Sequence, residues 1–97
     1  MLEQERARAR EVRFDALARA VAMPLHRYLL RRADADAVDD ILAETMLVLW
    51  RRLEDVPGLG KGHVTDPDSV LPWCYGVARG CLPNARRTGA GSGWWSG

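Results

Sequence analysis

The sequence predicts an all-α domain, a small bundle of three to four helices. Apolar residues recur at spacings of three and four along several long stretches, and nowhere does the two-residue alternation of a half-buried strand appear. Glycine and proline concentrate in one segment, 55–69, and glycine again near the chain end, so the rest is free to form long helices. Ninety-seven residues make one domain; a chain of that size buries roughly two thirds of its unfolded surface, enough for one core.

The first helix is expected from about Glu3, where helix formers run on to Ala22 and Phe14, Leu17, Val21 and Leu25 form one apolar stripe. Pro24 has no backbone N–H, so the helix is expected to kink there or a new one to begin, carrying Leu25, Tyr28 and Leu29 to about Arg32. After the turn 33–36, Asp36 suits an N-cap, with Asp39 completing a capping-box-like arrangement. The next helix then runs from about Ala37 to Leu53, with Val38, Leu42, Met46, Leu49 and Leu53 as its buried stripe and Val48 elsewhere on the cylinder. Asp55 to Ser69 reads as a long loop, and loops of this length are commonly functional. Gly58-Leu-Gly-Lys61 does not match a phosphate cradle, which needs wider glycine spacing, Ser or Thr after the lysine, and a preceding strand.

Ser69 is expected to cap a last helix from about Val70 to Arg87. Leu71, Cys74, Val77, Ala78, Cys81, Leu82 and Ala85 fall on one side of it; Trp73, Gly76, Arg79, Gly80, Pro83, Asn84 and Arg87 fall on the other. Pro83 is expected to kink this helix or end its regular pairing near Arg79 and Gly80. The helical domain thus spans 1–87. Residues 88–97 read as a flexible tail or a cloning remnant, in which Trp94 and Trp95 are apolar enough to dock into a groove of this or a neighbouring molecule.

Net charge is only +1, yet thirteen of the fourteen basic residues are arginine, and acids dominate between Asp34 and Asp68. Near-neutrality argues against strong independent binding to duplex DNA, whose phosphates supply most of the affinity. No apolar run reaches the length of a membrane span and the N-terminus lacks a signal-peptide core, so a cytoplasmic protein without membrane contact is expected. Cys74 and Cys81 lie on one helix with Cα atoms about 10 Å apart, too far for a disulfide. Without His or Cys at ligand spacing they form no metal site, and they read as small core residues. His26 and His63 are isolated, and no nucleophile–base pair or acid pair is present, so neither an enzyme nor a cofactor is expected.

Four segments together resemble region 2 of bacterial extracytoplasmic-function sigma factors. Residues 38–50, VDDILAETMLVLW, look like the family's AEDLxQETFxxxW helix. Residues 72–80, PWCYGVARG, with Arg86 and Arg87 beyond, look like its aWLyxIARN…R helix. Phe14 with Leu17, and Tyr28 to Arg32, fit the two upstream helices, so the resemblance covers about Phe14 to Arg87 in one order. It implies a domain that holds the β′ clamp helices of core RNA polymerase and reads the minus-ten promoter element as melted single strand. Region 4, which binds the minus-thirty-five element, is not represented. The implied polymerase contacts are Asp40, Glu44, Leu47 (or Met46), Trp50 and Arg51, a set of carboxylates and apolar anchors at successive helical turns. The implied single-strand contacts are Lys61 and His63 in the loop with Trp73, Arg79, Gly80, Asn84, Arg86 and Arg87 on the adjacent helix, the loop wrapping an extruded base.

Three departures bear on that implication. Ala43 stands where the pattern has glutamine, removing one clamp contact; Gly80 stands where it has asparagine, removing an amide; and Pro83 distorts the end of the DNA-facing helix. Gly80, Pro83 and the unrepresented region 4 motivate an alternative, a sigma-like interaction module without promoter reading, held by an anti-sigma factor or another regulatory partner. Trp50 serves equally as a packing residue or a clamp anchor, Trp73 as a packing residue or a stacking platform, and the N-terminal arginines as a solvated face or a DNA contact.

Overall fold

The computed structural model describes residues 2–86, with side chains through Leu82. Residues 87–97, and with them the roles expected of Arg87, Trp94 and Trp95, lie outside the described residues, as do the side chains of Asn84 and Arg86. Three α-helices follow one another: α1 over Leu2–Leu30, α2 over Ala35–Arg51 and α3 over Pro67–Arg86. A single 3-10 turn, Leu53–Asp55, follows α2. Among the described residues there is no strand, only an isolated antiparallel bridge between Leu59 and Val64.

α1 does not break at Pro24; it is one helix of 29 residues. The reason is the stripe that crosses the proline. Leu17, Val21, Leu25 and Leu29 are each 0% exposed, and a buried leucine contributes roughly 1.5–3 kcal/mol. Leu25 and Leu29 together therefore offset the ~3 kcal/mol that an interior proline costs. The carbonyl left unbonded is that of Ala20, an exposed residue, where water can satisfy it.

α2 packs against both neighbours, and this moves its core face from the expected one. Val38, Ile41, Thr45, Val48 and Leu49 are buried, whereas Leu42 and Met46 are only half-buried. A helix covered from two sides buries a wider arc than the single stripe assumed, and that arc is centred on Ile41, Thr45 and Val48. Thr45 is admitted to the core because its Oγ1 donates to the Ile41 carbonyl at 2.8 Å. The helix also starts earlier than expected, at Ala35 after Asp34, with no side-chain cap, and its regular part ends at Arg51.

α3 likewise starts at Pro67, not after Ser69. Asp66 accepts the first backbone bonds, from Ser69 and Val70 at 3.1 Å each, and its carboxylate accepts the Ser69 hydroxyl at 2.6 Å. Proline at the first helical position loses nothing, since that N–H has no partner in any case. The buried side carries Cys74, Val77, Ala78 and Cys81, as the spacing predicts, but it also takes in Val70, and Leu71 and Leu82 are only half-buried. The helix continues through Pro83 to Arg86.

The connection between α2 and α3 is held by its own bonds. Gly60 N–H donates to His63 O at 2.9 Å, and Gly58 O accepts from Thr65 at 2.8 Å and from Asp66 at 3.1 Å. Gly58 has φ of +73°, and a Cβ there would meet the Asp66 carbonyl at 2.5 Å. Gly58→Ala is expected to lower unfolding stability by about 2 kcal/mol, read as a shifted urea midpoint. A Cβ at Gly62 would only touch Val12 at 3.5 Å, so Gly62→Ala is expected to stay within about 0.5 kcal/mol of the parent.

Candidate functional site

The side of α2 turned away from both neighbours carries Asp36, Asp40, Ala43 and Leu47, all exposed and spaced three or four apart. Leu47 keeps 44% of its surface exposed, the exposed large apolar side chain of α2. Arg51 lies at the C-terminal end of this row, exposed but engaged in contacts within the chain. Glu44 lies toward α3, half-buried and also engaged. Its charge acts on the Cys81 thiol, so it borders the row rather than sitting at its centre.

Trp50 does not belong to that free surface. Its ring meets Phe14 edge-on at 5.4 Å and 87°, and the Arg10 guanidinium rests on it at 4.5 Å from the ring centre. Arg10 also donates to the Trp50 carbonyl at 2.6 Å and to Glu54 Oε2 at 3.1 Å. Its Nε is enclosed without a conventional acceptor, leaving the indole face as its support. Arg10 thus fastens the start of α1 to the end of α2. The reading of the N-terminal arginines as a solvated or DNA-binding face holds for neither Arg10 nor Arg13, whose Nε donates to Gly60 O at 3.3 Å. The available signal was spacing: Arg10, Phe14, Leu17 and Val21 continue one helical stripe outward.

The residues expected to form one single-strand surface fall into two groups. Lys61 stands at the loop tip and lines a hollow with Ala9, Arg13, Leu59 and Gly60, against α1; His63 is exposed beside it. Trp73 instead lines a shallow groove with Arg52, Pro72, Gly76 and Val77, between α3 and the end of α2. The Arg52 guanidinium lies 5.2 Å from the Trp73 ring centre and is steadied by Asp55 at 3.4 Å. Gly76 leaves the groove open, since a Cβ there would meet nothing within 4 Å. Arg79 is exposed one turn further along, with Gly80 half-buried beside it. The Lys61 end of the loop is therefore moored to α1 by Arg13, while Trp73 and Arg79 belong to α3.

Cys74 and Cys81 are buried free thiols. Burial pushes Cys74 up to about 12. Burial also pushes Cys81 up to about 11, aided by the Glu44 charge and opposed by a hydrogen bond with Thr45. Among the described residues no cluster of three or more His, Cys, Asp or Glu side chains is arranged to hold a metal ion, and no helix is long and apolar enough to cross a membrane. No protein-family model, curated protein or solved structure matches this chain.

Arg10→Ala is expected to destabilise the fold by roughly 1–2 kcal/mol through the lost ring contact and hydrogen bonds, measured by urea unfolding. Arg8→Ala, on an exposed residue, is expected to cost less than about 0.5 kcal/mol. The thiols give a pH signature. Their folded values lie above the ordinary 9.0, so the stability from keeping them neutral is full below pH 9.0 and falls as pH rises toward 11 and 12. The urea midpoint is expected to drop between about pH 8 and about pH 10.5, and to drop less in the Cys74→Ala, Cys81→Ala double variant.

Proposed function

We propose that this chain is a sigma-factor region 2 domain of the extracytoplasmic-function type. It binds the β′ clamp helices of core RNA polymerase through the outer face of α2 and takes up a melted minus-ten strand along α3. The observation that carries the reading is the unpartnered row of Asp36, Asp40 and Leu47 on α2, within the segment whose sequence resembles the family's clamp-binding helix. Carboxylates beside an exposed leucine are the composition that a basic, partly apolar coiled coil requires of its partner. With Trp50 committed to Phe14 and Arg10, Leu47 is the apolar anchor. Arg79, exposed on α3 one turn beyond Gly76, and Trp73 in its groove supply a cation and an aromatic of the kind that single strands use.

A β′ clamp-helix fragment is expected to bind the purified domain. Asp40→Ala and Leu47→Ala are each expected to weaken binding about tenfold without moving the thermal midpoint. Equal binding by parent and both variants, or none by the parent, sinks the proposal.

A second reading, an interaction module held by an anti-sigma factor and silent toward promoters, is favoured by Gly80 in place of the pattern's asparagine and by Arg52 covering Trp73. Fluorescence anisotropy with single-stranded minus-ten oligonucleotides in the presence of core polymerase separates the two. Sequence-selective binding supports promoter reading, and its absence beside intact clamp binding supports the module.

A further inference from the structure

At the far end of α1 the same kind of arginine–aromatic contact is built differently. Tyr28 of α1 and Tyr75 of α3 stack with ring centres 5.0 Å apart and planes 24° from parallel. The Arg32 guanidinium lies 3.9 Å from the Tyr28 ring centre and donates to the Tyr28 carbonyl at 3.3 Å. Between the two helices this leaves an open groove of about 260 Å³, lined by Pro24, Arg27, Tyr28, Arg31, Arg32 and Tyr75. Three of those six residues are arginines and none is acidic. The adjoining hollow, which shares Arg31 and Arg32, is lined by one carboxylate, Asp34.

Two observations separate this patch from an ordinary solvated helix end. A cation in the last turn serves the helix dipole, but the dipole makes no use of an aromatic ring brought from another helix. Arg32 is occupied by Tyr28, whereas Arg27 and Arg31 are exposed and carry no ion pair. Two free guanidiniums one turn apart, beside a layered aromatic platform, match an anionic ligand with a flat apolar part. Guanidinium forks suit phosphate oxygens, and stacked rings suit a nucleobase. The groove is open and smaller than the roughly 300–1,000 Å³ that engulfs a whole small molecule, so it fits a strand laid across it.

We infer that the Tyr28–Tyr75 groove is a binding site for one nucleotide of a single strand, its phosphates on Arg27 and Arg31 and its base against the tyrosine layer. The site is separate from the Trp73 groove. Tyr75 and Trp73 leave α3 roughly 160° apart, with exposed Arg79 on the ridge between them. It rests on none of the polymerase-binding argument and should work in the domain alone.

The test is anisotropy of the purified domain with a fluorescein-labelled twelve-nucleotide deoxythymidine strand at low salt, and with the same strand made abasic. Arg27→Ala with Arg31→Ala is expected to lower the slope of log affinity against log salt by about 1.4, two phosphate contacts at ~0.7 each. Tyr75→Leu is expected to weaken the base-bearing strand about tenfold and leave the abasic strand unchanged. Parent-like binding and salt slope in the double-arginine variant overturn the site, since both residues are exposed and their loss leaves the fold intact. Parent binding only to vesicles of three parts phosphatidylcholine to one part phosphatidylserine, and to neither strand, overturns it as well. Clamp-fragment binding is measured separately, so failure here leaves the function proposed for α2 standing, and the reverse holds too.

Discussion

The unbroken packing of α1 across Pro24 fixes the geometry of everything else. Had the helix parted there, Arg10 and Arg32 would sit on two independent segments. Instead Leu17, Val21, Leu25 and Leu29 lock one continuous helix into the core, and its two ends belong to a single element. One end grips Trp50 and Glu54 through Arg10; the other carries Arg27, Arg31 and the tyrosine stack. A single apolar stripe thereby positions both polar ends. A large-to-small change at Leu25 should disturb both ends while touching neither.

The near-exclusive use of arginine follows from what these side chains do. Among the described residues a guanidinium lies on an aromatic face at three places: Arg10 on Trp50, Arg32 on Tyr28 and Arg52 on Trp73. A planar, weakly hydrated cation stacks on a ring and still donates hydrogen bonds from its edge, which an ammonium does less well. In this domain Arg10 and Arg52 join elements distant in the chain or hold a turn in place, with Glu54 and Asp55 at their edges. Exposed ion pairs alone contribute little; the ring contact and the buried aliphatic stem are what make these joints worth having.

Much of the fold could be read from spacing alone, because a helix buried on one side advertises its stripe. The α3 core and the fate of both cysteines were legible for that reason. The phase of α2 was not, since a helix covered from two sides has no single stripe, and a threonine that satisfies its own hydroxyl passes for a polar surface residue. The loop misled differently. Its glycines and prolines read only as a long loop, whereas Gly58 is a left-handed turn and Gly60 closes a bond to His63. For the candidate sites, residue type was readable and partnership was not. Trp50 has the composition of an anchor, but Arg10, forty residues upstream, claims its face. Lys61 and Trp73 are near in sequence yet face different grooves, because Arg13 draws the loop toward α1.

Helix polarity accounts for part of the charge pattern and isolates the rest. Asp34 and Asp36 stand at the start of α2, and Arg27 in the last turn of α1, where each complements a helix end. That effect fades within one turn, and Asp40 lies in the second turn of α2, so the dipole does not explain it. Leu47 keeps 44% of an aliphatic residue's surface exposed to water, outside the buried core. Arg79 stands mid-helix on α3, exposed, with no ion pair. The bundle would fold as well with alanine at all three positions, since none contributes to the core, a cap or a joint. The fold thus gives no reason for Asp40 and Leu47 on α2 or for Arg79 on α3. Because α1 holds these faces at a fixed angle, a partner gripping α2 would meet α3 in a defined orientation.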